Sequence, residues 1–151
     1  MISASTQTPV TCLLSNGRYH TMITNAGGGY SRQRDVALTR WQEDFTRDNW
    51  GTFIYVRDLA TEDFWSTAFQ PTLKPAANYH ASFAGGKATL DSNVCDVSTR
   101  TEVVVAPEDD VELRRVTIVN GAHNQRQLDL TSYAEVVLDA PAAVSYTHLT
   151  L

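Results

Sequence analysis

Lysine is nearly absent from these 151 residues: ten of the twelve basic side chains are arginine, and only Lys74 and Lys87 are lysine. With a formal net charge of -5 and a pI near 5.2, the chain has no excess of positive charge to neutralise a phosphate backbone, which argues against a nucleic-acid partner. Arginine in place of lysine suits planar, bidentate recognition better than diffuse attraction. The two cysteines, Cys12 and Cys95, stand alone, without C-x-x-C spacing, and read as two buried thiols rather than a disulfide or a metal site. No apolar run approaches 18 residues, and there is no signal-peptide core and no N-x-S/T sequon. A reducing, cytoplasmic setting with no membrane contact by this segment is therefore expected.

Helical periodicity is also missing. "VALTRWQEDF" comes nearest, but its apolar positions do not hold one face. What is present is period two. "VTCLLS" and "RYHTMIT" flank Asn16-Gly17, a two-residue hairpin signal. "TFIYVRDL", "DFWSTAF", "YHASFA", "KATLDSN" and "DVSTRTEVVVA" follow at short spacing with turn residues between them. "VELRRVTIVN" and "QLDLTSYAEVVL", separated by "NGAHNQR", predict one antiparallel hairpin over residues 111–138. In the first of these the apolar alternation changes phase between Leu113 and Val116, implying a bulge at Arg114 and Arg115 or a strand buried on both faces. In the second, Leu128, Leu130, Ser132, Ala134, Val136 and Leu138 share one face of a long half-buried strand. The expected fold is all-β, an antiparallel β-sandwich.

Eight of the fourteen aromatic residues fall between positions 41 and 69, all three tryptophans among them, interleaved with Arg32, Arg34, Asp35, Arg40, Asp44, Arg47, Asp48, Arg57 and Asp58. Flat apolar faces for the C–H surface of a sugar ring, beside carboxylates and guanidinium groups for its hydroxyls, are what a glycan site requires. A tryptophan-rich core edge with surface ion pairs would give the same composition. "NAGGGYS" lacks the lysine and following helix of a phosphate loop, and the four histidines are scattered, with no G-x-S-x-G elbow. Asp109 and Asp110, beside Pro107, read as solvated turn residues rather than a catalytic acid pair.

The run "LLSNGRYHTMITNAGGGYSRQRDVALTRWQEDFTRDNWGTFIYVRDLATEDFWSTAFQP" closely resembles the amino-terminal β-sandwich of the glycoside hydrolase family 94 glycan phosphorylases, formerly glycosyltransferase family 36. Within that family it is most similar to the phosphorylase-like region of cyclic β-1,2-glucan synthases. "APEDDVELRRVTIVN" and "LTSYAEVVL" match later signatures of the family, so the resemblance covers about residues 9–140. It implies a partial supersandwich, truncated, whose parent acts on β-linked glucans or gluco-oligosaccharides. An (α/α)6 barrel supplies the catalytic acid there, with inorganic phosphate as its co-substrate. On this reading the present chain is a non-catalytic fragment with no catalytic residue, metal or cofactor of its own. Its parent could be attached to the inner membrane through other segments.

The resemblance further implies that the sandwich abuts the barrel, shares in homodimer contacts, and lines the glycan site. In this sequence those roles fall on Gly27, Gly28, Gly29, Tyr30, Arg32, Arg40, Trp41, Asp44, Asp48 and Trp50. The three glycines would let a strand end lie flat against a neighbouring domain or a sugar, or would form a tight bulge at a sandwich corner. Gln33 stands where an aromatic side chain is common in the family. Residues 1–143 are expected to be the partial sandwich and residues 144–151, "VSYTHLTL", a foreign or read-through tail. The rival reading is a free-standing carbohydrate-binding or scaffold module.

Overall fold

The computed structural model describes residues 2–6, 8–42 and 48–140. The described residues form strands and no helix: β1 (Thr11–Ser15), β2 (Tyr19–Thr24), β3 (Gly29–Gln33), β4 (Val36–Thr39), β5 (Thr52–Asp58), β6 (Phe64–Ser66), β7 (Asn78–Ala84), β8 (Lys87–Val94), β9 (Val97–Val105), β10 (Glu112–Asn120), β11 (Leu128–Ala134) and β12 (Val136–Asp139). A four-stranded sheet in the order β10-β9-β8-β7 is the platform. Two further sheets cover it, one in the order β1-β2-β3-β4-β12 and one in the order β11-β5-β6. Every ladder is antiparallel. The all-β sandwich read from the period-two segments is the observed fold.

The platform shows why alternation produces a sandwich. Along β8, Ala88, Leu90, Ser92 and Val94 are buried while their neighbours are half-exposed, and β9 buries Val97, Thr99, Thr101 and Val103. Against this face the first cover sheet lays Leu14 and Ile23, which pack with Ala88 and Val103. The second lays Val56 and Trp65, which pack with Val94 and Val97. Trp65 is 1% exposed; truncating it to alanine would cost about 3–5 kcal/mol through lost transfer energy and the cavity left behind. The outer face of the platform is polar: Asp91 lies between His80 and Arg100, and Glu102 between Lys87 and Arg115, each within ion-pair distance.

Five expectations need correction. Residues 111–138 are not one hairpin: β10 pairs with β9, and β11 pairs with β5 on the other layer. Asn120-Gly121 begins a crossing between layers rather than a turn. The crossing is held by the ion pair of Arg126 with Asp58, 3.1 Å, and by Leu59 N–H donating to Gln127 O at 3.0 Å. Residues 128–138 are likewise not one half-buried strand, because the chain leaves the second cover sheet after Ala134 and joins the first at Val136. Of β11 only Leu128 is half-buried.

No bulge interrupts β10, whose register against β9 is unbroken from Glu112 to Asn120. Arg114 occupies an inward position because it is ion-paired there with Glu112, so the apolar phase shift marks a charge pair taken into the sandwich. Cys95, read as buried, is exposed in the β8–β9 turn; Cys12 is half-buried against the first core cluster. Asp110 is a turn residue but not a merely solvated one. It accepts from Arg18 Nε at 2.9 Å, Gln33 Nε2 at 2.8 Å and Asn16 Nδ2 at 3.1 Å, fastening the β1–β2 turn and β3 to the β9–β10 turn. The helix-like run "VALTRWQEDF" begins as β4, while Asp44 and residues 144–151 lie outside the described residues.

Candidate functional site

What approaches the three glycines is the protein itself. Gly27, Gly28 and Gly29 are buried at the end of the β2–β3 turn. A Cβ on Gly27 would overlap the Ala68 side chain, one on Gly28 the Asp48 carboxylate, and one on Gly29 the Met22 carbonyl oxygen. Gly27 and Gly29 also have φ of +96° and +151°, a region side chains rarely enter. The corner is closed by main-chain bonds: Thr24 N–H donates to Gly28 O at 2.8 Å, and Gly29 N–H to Trp50 O at 2.7 Å. Thr24 Oγ1 accepts from Gly28 N–H at 3.0 Å and donates to Asp48. Burial pushes the Asp48 carboxyl above its ordinary range, against the opposing pull of the Thr24 hydrogen bond. The tight sandwich corner is thus the arrangement observed for the glycines, with Asp48 and half-buried Trp50 beneath them.

The remaining residues of the expected site divide between two places. Paired strands put Leu13, Met22 and Tyr30 in one cross-strand row, and Ser15, His20, Arg32 and Ala37 in the next. The opposite faces of the same strands carry the buried residues Leu14, Thr21 and Ser31, so these rows are the outer face of the first cover sheet. Trp41 joins the first row, its ring centroid 5.5 Å from that of Tyr30 at an interplanar angle of 57°. Leu13 is 62% and Trp41 37% exposed, and Arg32 is exposed beside them. Ser15 Oγ and His20 Nδ1 are hydrogen-bonded at 2.7 Å in the polar row.

Arg40 goes elsewhere. Its N–H donates to Glu135 O at 2.8 Å and its Nε lies 2.7 Å from Glu135 Oε1, pinning the passage from β11 to β12. The structure therefore brings together Tyr30, Trp41 and Arg32 on an open face, and separates from them the buried corner of Gly27–Gly29, Asp48 and Trp50. Leu13, Met22, Ser15 and His20 complete the face and were missed in the sequence. The signal for them was there: the Asn16-Gly17 turn sets the register that carries Leu13 across to Met22.

Chemically, the face offers an aromatic pair with apolar neighbours and, one residue pair along the strands, a guanidinium, an imidazole and a hydroxyl. It can stack against a flat apolar surface while hydrogen-bonding polar groups at its edge. Among the described residues no group of three or more His, Cys, Asp or Glu side chains is placed to hold a metal ion.

The model of the glycosyl hydrolase 94 supersandwich domain matches residues 2–149. The chain belongs to the glycosyl hydrolase 94 supersandwich family. The match takes in most of the segment expected to be a foreign tail. Over 128 residues, 85% of the chain, it is 41% identical to the cyclic beta-(1,2)-glucan synthase NdvB of Rhizobium meliloti, of which it covers 4%. It is 29% identical over 147 residues, 93% of the chain, to an N,N'-diacetylchitobiose phosphorylase of Vibrio furnissii, of which it covers 18%. A solabiose phosphorylase of Paenibacillus borealis is 27% identical over 93 residues, 62% of this chain and 12% of that protein. The supersandwich chain thus spans less than a fifth of these relatives. No helix among its described residues is long and apolar enough to cross a membrane.

Proposed function

We propose that this supersandwich chain is the non-catalytic, carbohydrate-associated part of a protein that processes β-linked glucans, of the cyclic β-1,2-glucan synthase kind. The observation that carries the reading is the 41% identity to the glucan synthase over 85% of the chain. The acids of the described residues support a structural rather than a catalytic role. Glu112, Glu102, Asp91, Asp63 and Asp58 each sit against a cation, and Asp110 fastens turns. On this reading a barrel elsewhere in the parent, in the cytoplasm, holds the catalytic acid and binds inorganic phosphate.

The outer face of the first cover sheet is the proposed contact for glycan. A pyranose packs its C–H face on Trp41 and Tyr30, and its hydroxyls reach Arg32. One wall without enclosure gives weak binding, because little of the sugar is removed from water. Titration of the chain with β-1,2-linked gluco-oligosaccharide, followed by tryptophan fluorescence, tests this. Trp41→Ala is expected to weaken binding by about tenfold, roughly 1.4 kcal/mol, with an unchanged circular dichroism spectrum. Equal binding by the variant, or release of sugar phosphate when phosphate is added, would overturn the proposal.

A further inference from the structure

The outer face of the platform carries a hollow of about 360 Å³ over β7, β8 and β9, at the small end of the ~300–1,000 Å³ range of sites for small molecules. Strand pairing arranges its lining in rows. Ser82, Thr89 and Glu102 are cross-strand partners in the middle row, and His80, Asp91 and Arg100 in the next. Lys87 precedes Thr89 on β8 and stands on the other side of the middle row. The hollow arises because Ser82 and Thr89 are short and the charged side chains around them are long. No aromatic side chain lines it, and no apolar one larger than that of Ala84, so a lipid tail or a flat ring finds nothing there to pack against.

The two carboxylates of the lining each have two partners. Glu102 receives Lys87 Nζ at 2.5 Å and Arg115 Nε at 2.8 Å. Asp91 receives Arg100 Nε at 2.6 Å and Nη2 at 3.2 Å, and lies 3.2 Å from His80 Nε2. An ammonium has three N–H donors and a guanidinium five, and these bonds use only part of them. The side chains of Lys87 and Arg100 are 43% and 58% exposed, so their spare donors remain open to a ligand on either side of the two hydroxyls. Counting Arg115, three cations face two carboxylates.

We propose that this hollow binds a small polyhydroxylated acid, whose carboxylate or phosphate-ester oxygens are taken by Lys87 and Arg100 and whose hydroxyls meet Ser82 and Thr89. Spare donors and the surplus of positive charge call for an oxyanion. The hollow is larger than a bare oxyanion needs, so the charged group comes on a body, and the polar lining requires that body to be hydroxylated. Open on one side to water, the site binds weakly and is screened by salt. It lies on the far side of the sandwich from Trp41 and does not depend on the glycan contact proposed there.

Titration of the full chain with glucuronate, glucose-6-phosphate and neutral glucose, followed through backbone amide chemical shifts, tests the proposal. Saturable shifts at Ser82, Thr89 and Asp91 are expected with at least one of the two acids and not with glucose. A response to both supports the site, and a response to one alone identifies the carboxylate or the phosphate ester as the group it takes. Lys87→Gln and Arg100→Gln are each expected to raise the dissociation constant at least fivefold. Both should fold, because Glu102 keeps Arg115 and Asp91 keeps His80, and circular dichroism checks this. Should a variant unfold, the wild type decides, since its dissociation constant rises with salt only if charge holds the ligand. Absence of saturable shifts with both acids overturns the proposal, as do equal shifts with glucose. Folded variants that bind as the wild type does, or a wild-type dissociation constant indifferent to salt, do the same.

Discussion

Ser31 on β3 donates its hydroxyl to Glu112 Oε2 on β10 across 2.7 Å, joining residues from two sheets and opposite halves of the chain. Tyr19 O–H donates to the same oxygen at 3.2 Å. Arg114 pairs with the other carboxylate oxygen and donates through Nη1 to Thr52 O at 2.7 Å, so all three sheets meet at one carboxylate. Replacing Glu112 with alanine strands an inward-facing guanidinium and is expected to cost about 3 kcal/mol. Chemical denaturation of the variant against the wild type measures it.

The same carboxylate sets a pH dependence. Burial pulls the Glu112 carboxyl upward, but the Arg114 guanidinium and the hydrogen bonds from Ser31, Arg114 and Thr21 outweigh it and hold it below its ordinary value of 4.5. Hydrogen bonds from Lys87 and Arg115 hold Glu102 at about 2. A carboxyl lowered in the folded state stabilises it fully above the unfolded value, and the contribution is lost as pH falls through the folded one. Stability is therefore expected to drop from pH 4.5 toward pH 2, and Glu112→Gln to flatten the upper part of that curve. Unfolding midpoints measured at intervals across this range provide the check.

Two hairpin turns of the platform differ in a testable way. Gly85 and Gly86 connect β7 to β8 with φ of +60° and +71°, whereas Cys95 and Asp96 connect β8 to β9 with φ of +50° and +62°. Both are two-residue loops of the kind that demands left-handed backbone, and only the first has residues free of strain there. Asp96→Gly is expected to raise stability by about 1 kcal/mol, and thermal unfolding will show whether it does.

The glycines of the β2–β3 corner offer a contrast of severity. At Gly29 an added methyl meets the Met22 carbonyl, whereas Gly17, with φ +91°, has open space around its missing side chain. Gly29→Ala is expected to cost about 3 kcal/mol or more, and Gly17→Ala only about 1 kcal/mol. Comparable losses at the two sites, read from denaturation midpoints, would show that the corner yields.

Much of the architecture was legible because strand alternation and tight turns are local. Asn16-Gly17 specified its hairpin, and "YHASFA", "KATLDSN" and "DVSTRTEVVVA" became the consecutive strands β7, β8 and β9. Asn120-Gly121 misled because the same residue pair serves a turn and the start of a crossing between layers, and what distinguishes them is a partner strand some 70 residues away. Arg114 broke the apolar rhythm because its companion Glu112 lies on the same face two residues back, a relation that counting hydrophobic residues does not register. At the candidate site, Tyr30 and Trp41 lie together, a pairing that neither aromatic composition nor periodicity had singled out. Arg40 left for Glu135, a pairing no local pattern encodes.

The passage from β11 to β12 at Glu135 has a consequence for the order in which the molecule is made. β5 waits for β11 and β4 for β12, so both cover sheets stay unfinished until the ribosome has delivered residues 128–139. The platform, in contrast, is a meander of neighbours in sequence that closes through short loops as it emerges. Local contacts form faster than distant ones because less chain entropy is lost in closing them. During synthesis the nascent chain therefore carries a finished platform sheet while the pairing edges of β4 and β5 stand open, a window in which chaperone binding is most valuable.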